Sequence, residues 1–71
     1  MSEKFLRLPE VRQATGLGRS TLYRMIEAGK FPRPIKILGP GKAMPVAFLK
    51  SEVENWQRER IAAGRGELRA A

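Results

Sequence analysis

The chain has 71 residues, with 14 Lys and Arg against 7 Glu, and a formal net charge of +7. A globular domain runs to roughly 100–200 residues, so we expect one small domain with a thin core and no deep pocket. The lack of Cys and His excludes disulfides, thiolate chemistry and a zinc site, and the lack of Asp removes the usual partner of a catalytic triad. We therefore predict a protein that is not an enzyme and that binds no metal, cofactor or small-molecule ligand.

The positive charge is concentrated in the first part of the chain. Residues 1–42 carry nine Lys and Arg against three Glu, whereas residues 43–71 carry five against four. This asymmetry favours a polyanionic partner, nucleic acid before an anionic membrane surface, although a basic surface retained for solubility is the alternative. No apolar run approaches the roughly 20 residues of a membrane span, and the N-terminus lacks the apolar segment of a signal peptide. The default expectation is a cytoplasmic protein without membrane association.

Two short helices are predicted in the first half of the chain. A proline and an acidic residue at its start, and Gly16 at its end, predict a first helix over about 9–15. After a glycine-containing turn, a second helix is predicted over about 19–28 and is closed by Gly29. The apolar residues of this second helix form one stripe at helical spacing, and they are Leu22, Met25 and Ile26.

A hairpin and a third helix are predicted in the second half. Residues 35–49 read as a hairpin whose return strand contains Pro45, which indicates an edge strand or a bulge. The capping box Ser51-x-x-Glu54 predicts a helix start, and the helix is expected to run to about residue 63. Glycines at 64 and 66 are expected to end it, so that 1–63 form the domain and 64–71 a flexible tail. The residues expected to face the core in the first two helices and their turn are Val11, Ala14, Leu17 and Leu22, and the last helix is expected to place Val53, Trp56, Arg60 and Ile61 near one face.

Residues 8–28 have the pattern of a helix-turn-helix, in which the second helix lies in the major groove of DNA. On a helical wheel Ser20, Arg24 and Glu27 lie opposite the apolar stripe, Thr21 and Tyr23 flank it, and Arg19 lies nearer the core edge but can reach outward. The side chains expected to contact phosphates or base edges are Arg19, Ser20, Thr21, Tyr23 and Arg24. The hairpin, with Lys36 and Lys42, looks like a wing that reaches the flanking DNA backbone. The alternatives are a helical hairpin in a small bundle and a β-hairpin that merely covers the core.

A series of motifs in chain order resembles a known family. The motifs occupy residues 5–11, 15–24, 29–34, 38–39 and 51–56. Together they resemble the AlpA family of small prophage-associated transcriptional regulators, which is related to MerR-like and excisionase winged-helix domains. The resemblance covers about residues 5–60. It implies a mainly α fold with a small β-hairpin, a winged helix-turn-helix with double-stranded DNA as ligand, and the five side chains of the second helix as the recognition surface.

The chain departs from the family pattern at three places. The family commonly has an Arg in the second wing strand and a Trp before the last helix, and residues 43–48 contain neither. We expect Phe48 to occupy the position of the Trp and Lys42 to substitute for the Arg. Gly18 stands where the family often has Ser, which removes a side-chain cap from the second helix.

The function expected from this sequence is a sequence-specific transcriptional regulator of a prophage or mobile element. A close variant is an excisionase-type factor that bends DNA, and a different class is a protein-interaction module such as an anti-repressor. Further partners would be other copies on repeated sites, a recombinase or RNA polymerase. The last helix is too short for the long dimerising coiled coil of full MerR proteins, which favours a monomer.

Overall fold

The computed structural model describes residues 2–37 and 46–70, which contain three α-helices and three short β-strands. In chain order the elements are β1 (Phe5–Leu6), α1 (Leu8–Thr15), α2 (Arg19–Glu27), β2 (Ile35–Lys36), β3 (Val46–Leu49) and α3 (Lys50–Ala70). The prediction of a mainly helical fold is confirmed, and the strands of the predicted hairpin belong to a three-stranded antiparallel sheet. The predicted tip of the hairpin, with Lys42, lies outside the described residues.

Two glycines end the first two helices, as predicted. Gly16 has φ 74°, and its N–H donates to the carbonyl oxygen of Arg12 at 2.8 Å. Gly29 also has φ 74° and follows α2. The N–H of Gly29 donates to the carbonyl of Ile26, and the N–H of Lys30 donates to that of Met25, which is the pattern of a Schellman motif. A left-handed backbone favours glycine, so these two positions fix where α1 and α2 stop.

The sheet has β3 in its centre, between β1 and β2, and all neighbouring strands are antiparallel. The expectation of an edge strand at the return of the hairpin was wrong. Pro45 itself lies outside the described residues. The pairing of Phe5 with Leu49 and of Leu6 with Phe48 joins the N-terminus to the strand that precedes α3, and the sequence pattern did not predict it.

The core lies between the helices and the central strand. Its buried cluster consists of Val11, Leu22, Ile26, Phe31, Phe48 and Val53. Half-buried apolar side chains pack around the cluster, and these are Leu6, Leu8, Leu17, Met25 and Trp56. Phe48 is 1% exposed, whereas Ala14, which was expected to face the core, is exposed.

Helix α3 begins directly after β3, without a connecting loop. Its first residue, Lys50, donates its N–H to the carbonyl oxygen of Lys4 at 2.9 Å. The predicted capping box is absent: the Ser51 hydroxyl donates to Oε1 of Glu3 at 2.7 Å, and Glu54 pairs with the Lys50 ammonium at 3.7 Å. Since the strand leads straight into the helix, residue 51 is already helical and cannot act as the cap.

Helix α3 also continues past its predicted end and reaches Ala70. Among the described glycines only Gly16 and Gly29 have a positive φ, so Gly64 and Gly66 do not form a left-handed C-cap. With 21 residues α3 is about 31 Å long. The helix therefore extends beyond the core, which explains why Ile61, predicted to lie near the same face as Val53, is 52% exposed.

Candidate nucleic-acid interface

Helix α2 has one face in the core and the other on the surface. Leu22 is fully buried and Ile26 is 7% exposed, which fixes the rotation of the helix about its axis. Ser20, Arg24 and Glu27 lie on the opposite face, Tyr23 lies at its flank, and Arg19 lies in the first turn near the edge of the core; all five are exposed. Thr21 is half-buried at the flank of this face. Four of the predicted contact residues are thus exposed, Ser20 and Arg24 opposite the core and Arg19 and Tyr23 on one flank, whereas Thr21 is only half-exposed.

The turn before α2 is held by hydrogen bonds and by one apolar side chain. The Thr15 hydroxyl donates to the carbonyl of Val11 at 2.8 Å and accepts from the N–H of Leu17 at 3.3 Å. Leu17 packs against the core cluster. Gly18 has the extended backbone of an N-cap residue and accepts from the N–H of Leu22, but it offers no side-chain cap. These contacts fix the orientation of α2 relative to α1.

Helix α3 braces both of the shorter helices. The indole N–H of Trp56 donates to the carbonyl oxygen of Lys30, just after α2, at 2.8 Å. The Trp56 ring also packs edge-on against Phe31, with the ring centroids 4.8 Å apart. The side-chain amide of Gln57 donates to the carbonyl of Ala14 near the end of α1 at 3.1 Å. Consequently α3 stabilises the positions of α1 and α2 from the side opposite the exposed surface of α2. Trp56 packs against the core, as its helical spacing predicted.

The outer side chains of α2 make few contacts within the protein. Over residues 2–37 and 46–66, no hydrogen bond or ion pair engages the side chains of Ser20, Tyr23 or Arg24. One contact links two predicted residues: the guanidinium carbon of Arg19 lies 5.7 Å from the centroid of the Tyr23 ring. Such a distance is within the range of a cation–π interaction. The surface therefore offers hydrogen-bond donors that no described residue satisfies.

The two predicted wing lysines have different outcomes. Lys36 lies on β2, at an edge of the sheet, and is exposed. It pairs through the backbone with Val46. Lys42 lies outside the described residues, so its contact with DNA stays a prediction. A hairpin stem formed by β2 and β3 is present, as residues 35–49 predicted.

One polar feature beside α2 was not predicted. Arg12 and Gln13, on α1, line an open groove together with Gly16, Leu17 and Gly18 of the turn. Arg12 is exposed and makes no ion pair with the described residues. The helical spacing from Val11 was the available signal, because a residue next to a buried one on a short helix faces away from the core. The groove is formed by α1 and by the turn that leads into α2.

The exposed surface of α2 carries positive charge and can donate hydrogen bonds. Among the described residues, no group of three or more Asp, Glu, His or Cys side chains could hold a metal ion. Within the same part of the chain, no helix combines the length and apolar character needed to cross a bilayer. Arginine, serine and tyrosine side chains suit phosphate oxygens and base edges.

Comparison with known proteins identifies the family to which the chain belongs. Residues 4–61 match a family model described as "Prophage CP4-57 regulatory protein (AlpA)". The chain belongs to the AlpA family. It is also 47% identical over 60 residues to "Uncharacterized protein ORF88" of Enterobacteria phage P4, an alignment that covers 84% of this chain. The chain spans 64% of the length of that phage relative. No solved structure matches the chain.

The resemblance to the AlpA family predicted from the motifs is thus confirmed, and the matched range includes all three helices up to residue 61. The family is one of prophage regulatory proteins. The exposed face of α2 lies entirely within the matched residues.

Proposed function

We propose that this AlpA-family protein is a sequence-specific double-stranded DNA-binding regulator of a prophage or mobile element. In this proposal α1, the turn and α2 form a helix-turn-helix, and α2 is the recognition helix in the major groove. The β2–β3 hairpin is the wing, and Lys36 and Lys42 contact the flanking backbone.

The observation that carries the proposal is the division of α2 into a buried and an exposed face. Leu22 and Ile26 anchor the helix, while Arg19, Ser20 and Arg24 are exposed. Nine residues of α-helix are about 14 Å long, and the major groove is about 12 Å wide. The helix therefore has the length and the side chains for base contacts. The positive charge concentrated in residues 1–42, which contain α2, supports the same ligand.

A selection experiment tests the proposal. The purified chain is incubated with a library of random duplexes, and bound fragments are recovered and sequenced. We expect a reproducible consensus. Binding to the consensus duplex should weaken with salt at a slope of log K against log salt near −4.5, if about five Lys and Arg reach phosphates.

Two results would contradict the proposal or redirect it. A salt-independent response and no enriched sequence would favour a protein-interaction module such as an anti-repressor. Altered mobility of circularly permuted fragments would indicate DNA bending and hence an excisionase-type factor, whereas unchanged relative mobility favours a simple operator-binding regulator.

A further inference from the structure

The contact between Arg19 and Tyr23 is the basis of an inference about base specificity, which rests on the proposed function. Both side chains are exposed on α2, four residues apart, and the guanidinium carbon lies 5.7 Å from the ring centroid. Over residues 2–37 and 46–66, Arg19 has no carboxylate partner within ion-pair distance. Among the described residues, the Tyr23 ring is therefore the only group that restricts the Arg19 guanidinium. The guanidinium N–H groups remain without a hydrogen bond to any of these residues.

An arginine that is already held over an aromatic ring loses less side-chain conformational entropy when it binds a ligand. A long side chain of this kind has many rotamers in water, and the planar guanidinium fork is useful only in one orientation. Tyr23 limits those rotamers before any ligand arrives, because cation–π attraction holds the guanidinium over the ring face. Arg24, which is also exposed on α2, makes no cation–π contact with a described residue.

The chemistry of the fork selects one base. Arginine has five N–H donors and no acceptor, so its edge matches a pair of neighbouring acceptors. In the major groove, only guanine presents two acceptors side by side, O6 and N7, whereas adenine presents an acceptor and a donor. Arg19 is the first residue of α2, and the first turn of a recognition helix is the part that contacts base edges.

We infer that Arg19 reads a guanine in the bound DNA and that Tyr23 is the positioning residue that orients Arg19 for this contact. The ring acts through the arginine, so the aromatic face and not the hydroxyl group of Tyr23 is required.

The test uses the consensus duplex recovered by selection with the full chain. Each guanine is replaced singly, first by an A·T pair and then by 7-deazaguanine, which lacks only the N7 acceptor. Dissociation constants are measured by fluorescence anisotropy for wild type, Arg19→Lys, Tyr23→Phe and Tyr23→Leu, with Arg58→Ala on α3 as the control. Circular dichroism confirms that each variant is folded.

We expect one guanine at which the A·T replacement weakens wild-type binding about 5- to 150-fold and 7-deazaguanine also weakens it. Arg19→Lys should reduce this discrimination at that position alone, since lysine can donate to the guanine acceptors but lacks the planar fork. Tyr23→Leu should reduce it by about 2- to 5-fold, which is the contribution of an exposed cation–π contact, and Tyr23→Phe and Arg58→Ala should retain it. A purely structural role for Tyr23 would instead weaken binding to all duplexes equally.

Two outcomes would overturn the inference. In the first, Arg19→Lys keeps the wild-type preference at every guanine. In the second, replacing Arg19 weakens all duplexes alike and lowers the salt slope by about one, as expected of a phosphate contact. Either result leaves the proposed function intact. Failure of the wild-type chain to enrich any sequence would refute both the proposed function and this inference.

Discussion

Trp56 donates its indole N–H to the carbonyl oxygen of Lys30 at 2.8 Å, and this bond connects the last helix to the backbone just after α2. The carbonyl it satisfies follows Gly29, where the chain turns away from the helix. The position of α2 therefore depends on Trp56, which lies on α3 and not on the exposed surface of α2.

We expect Trp56→Phe to lower the free energy of unfolding by at least about 1 kcal/mol, because the variant loses the indole hydrogen bond and the smaller ring packs less fully against Phe31. Urea unfolding followed by circular dichroism measures the change. Tyr23→Phe is the matched control, since the Tyr23 hydroxyl makes no hydrogen bond to the described residues. Equal stability of the two variants would show that the indole bond contributes nothing.

Leu22→Ala should lower the free energy of unfolding by about 2–5 kcal/mol, because it removes a fully buried side chain from the centre of the core. In a protein of this size such a loss is a large part of the total stability. Thermal and urea unfolding measure it, with Arg58→Ala on the exposed face of α3 as the control. A change below 1 kcal/mol would mean that Leu22 is not part of a packed core.

Two glycine substitutions should have opposite effects. Gly16 has φ 74° and no atom within 4 Å of the place that a Cβ would occupy, so Gly16→Ala introduces backbone strain without a steric clash. We expect it to destabilise the protein by about 1–2 kcal/mol. Gly64 lies within α3 without a positive φ, so Gly64→Ala should stabilise the helix by about 0.5–1 kcal/mol.

Urea unfolding gives the sign of each change, and helical circular dichroism should increase only for the Gly64 variant. Stabilisation by Gly16→Ala would contradict the left-handed turn between α1 and α2.

Arg24→Ala should weaken binding to the selected duplex by about 1–3 kcal/mol and relax the preference at one position, because Arg24 is expected to contact a base.

Lys42→Ala should weaken binding to all duplexes alike and reduce the salt slope by about one, because a wing lysine is expected to contact phosphate. Anisotropy titrations at several salt concentrations separate the two effects. The prediction for Lys42 fails if its effect is confined to one sequence.

Removal of residues 64–71 should leave the fold and DNA binding unchanged, because the core cluster ends at Val53 and Trp56 packs against it. We expect the same urea midpoint, within error, and the same dissociation constant for the selected duplex. Gln57 and its bond to Ala14 remain in the truncated chain. A loss of binding would show that the last turns of α3 take part in function.

Local signals in the sequence located the first two helices closely. The glycines at 16 and 29 are at the required left-handed positions, and the stripe of Leu22, Met25 and Ile26 gave the orientation of α2. From that orientation the exposed surface with Ser20 and Arg24 could be derived.

Features that depend on distant parts of the chain could not be derived in this way. Two residues, Phe5 and Leu6, are too short a segment to show strand periodicity, and they become a strand because Phe48 and Leu49 pair with them. The Ser51 hydroxyl was assigned to a cap, but Glu3, 48 residues earlier, accepts its hydrogen bond. The contact of Arg19 with Tyr23 required side-chain geometry, since spacing alone permits it without specifying it.

The central position of β3 has a consequence for synthesis of the protein. Val11 and Leu22 belong to the first third of the chain, yet they are buried in one cluster with Phe48 and Val53. A nascent polypeptide that has left the ribosome only as far as α2 lacks half of the side chains needed to hold that helix. Translation must pass residue 53 before the molecule can compact, so prematurely terminated products should be substrates for proteases and not competitors for an operator.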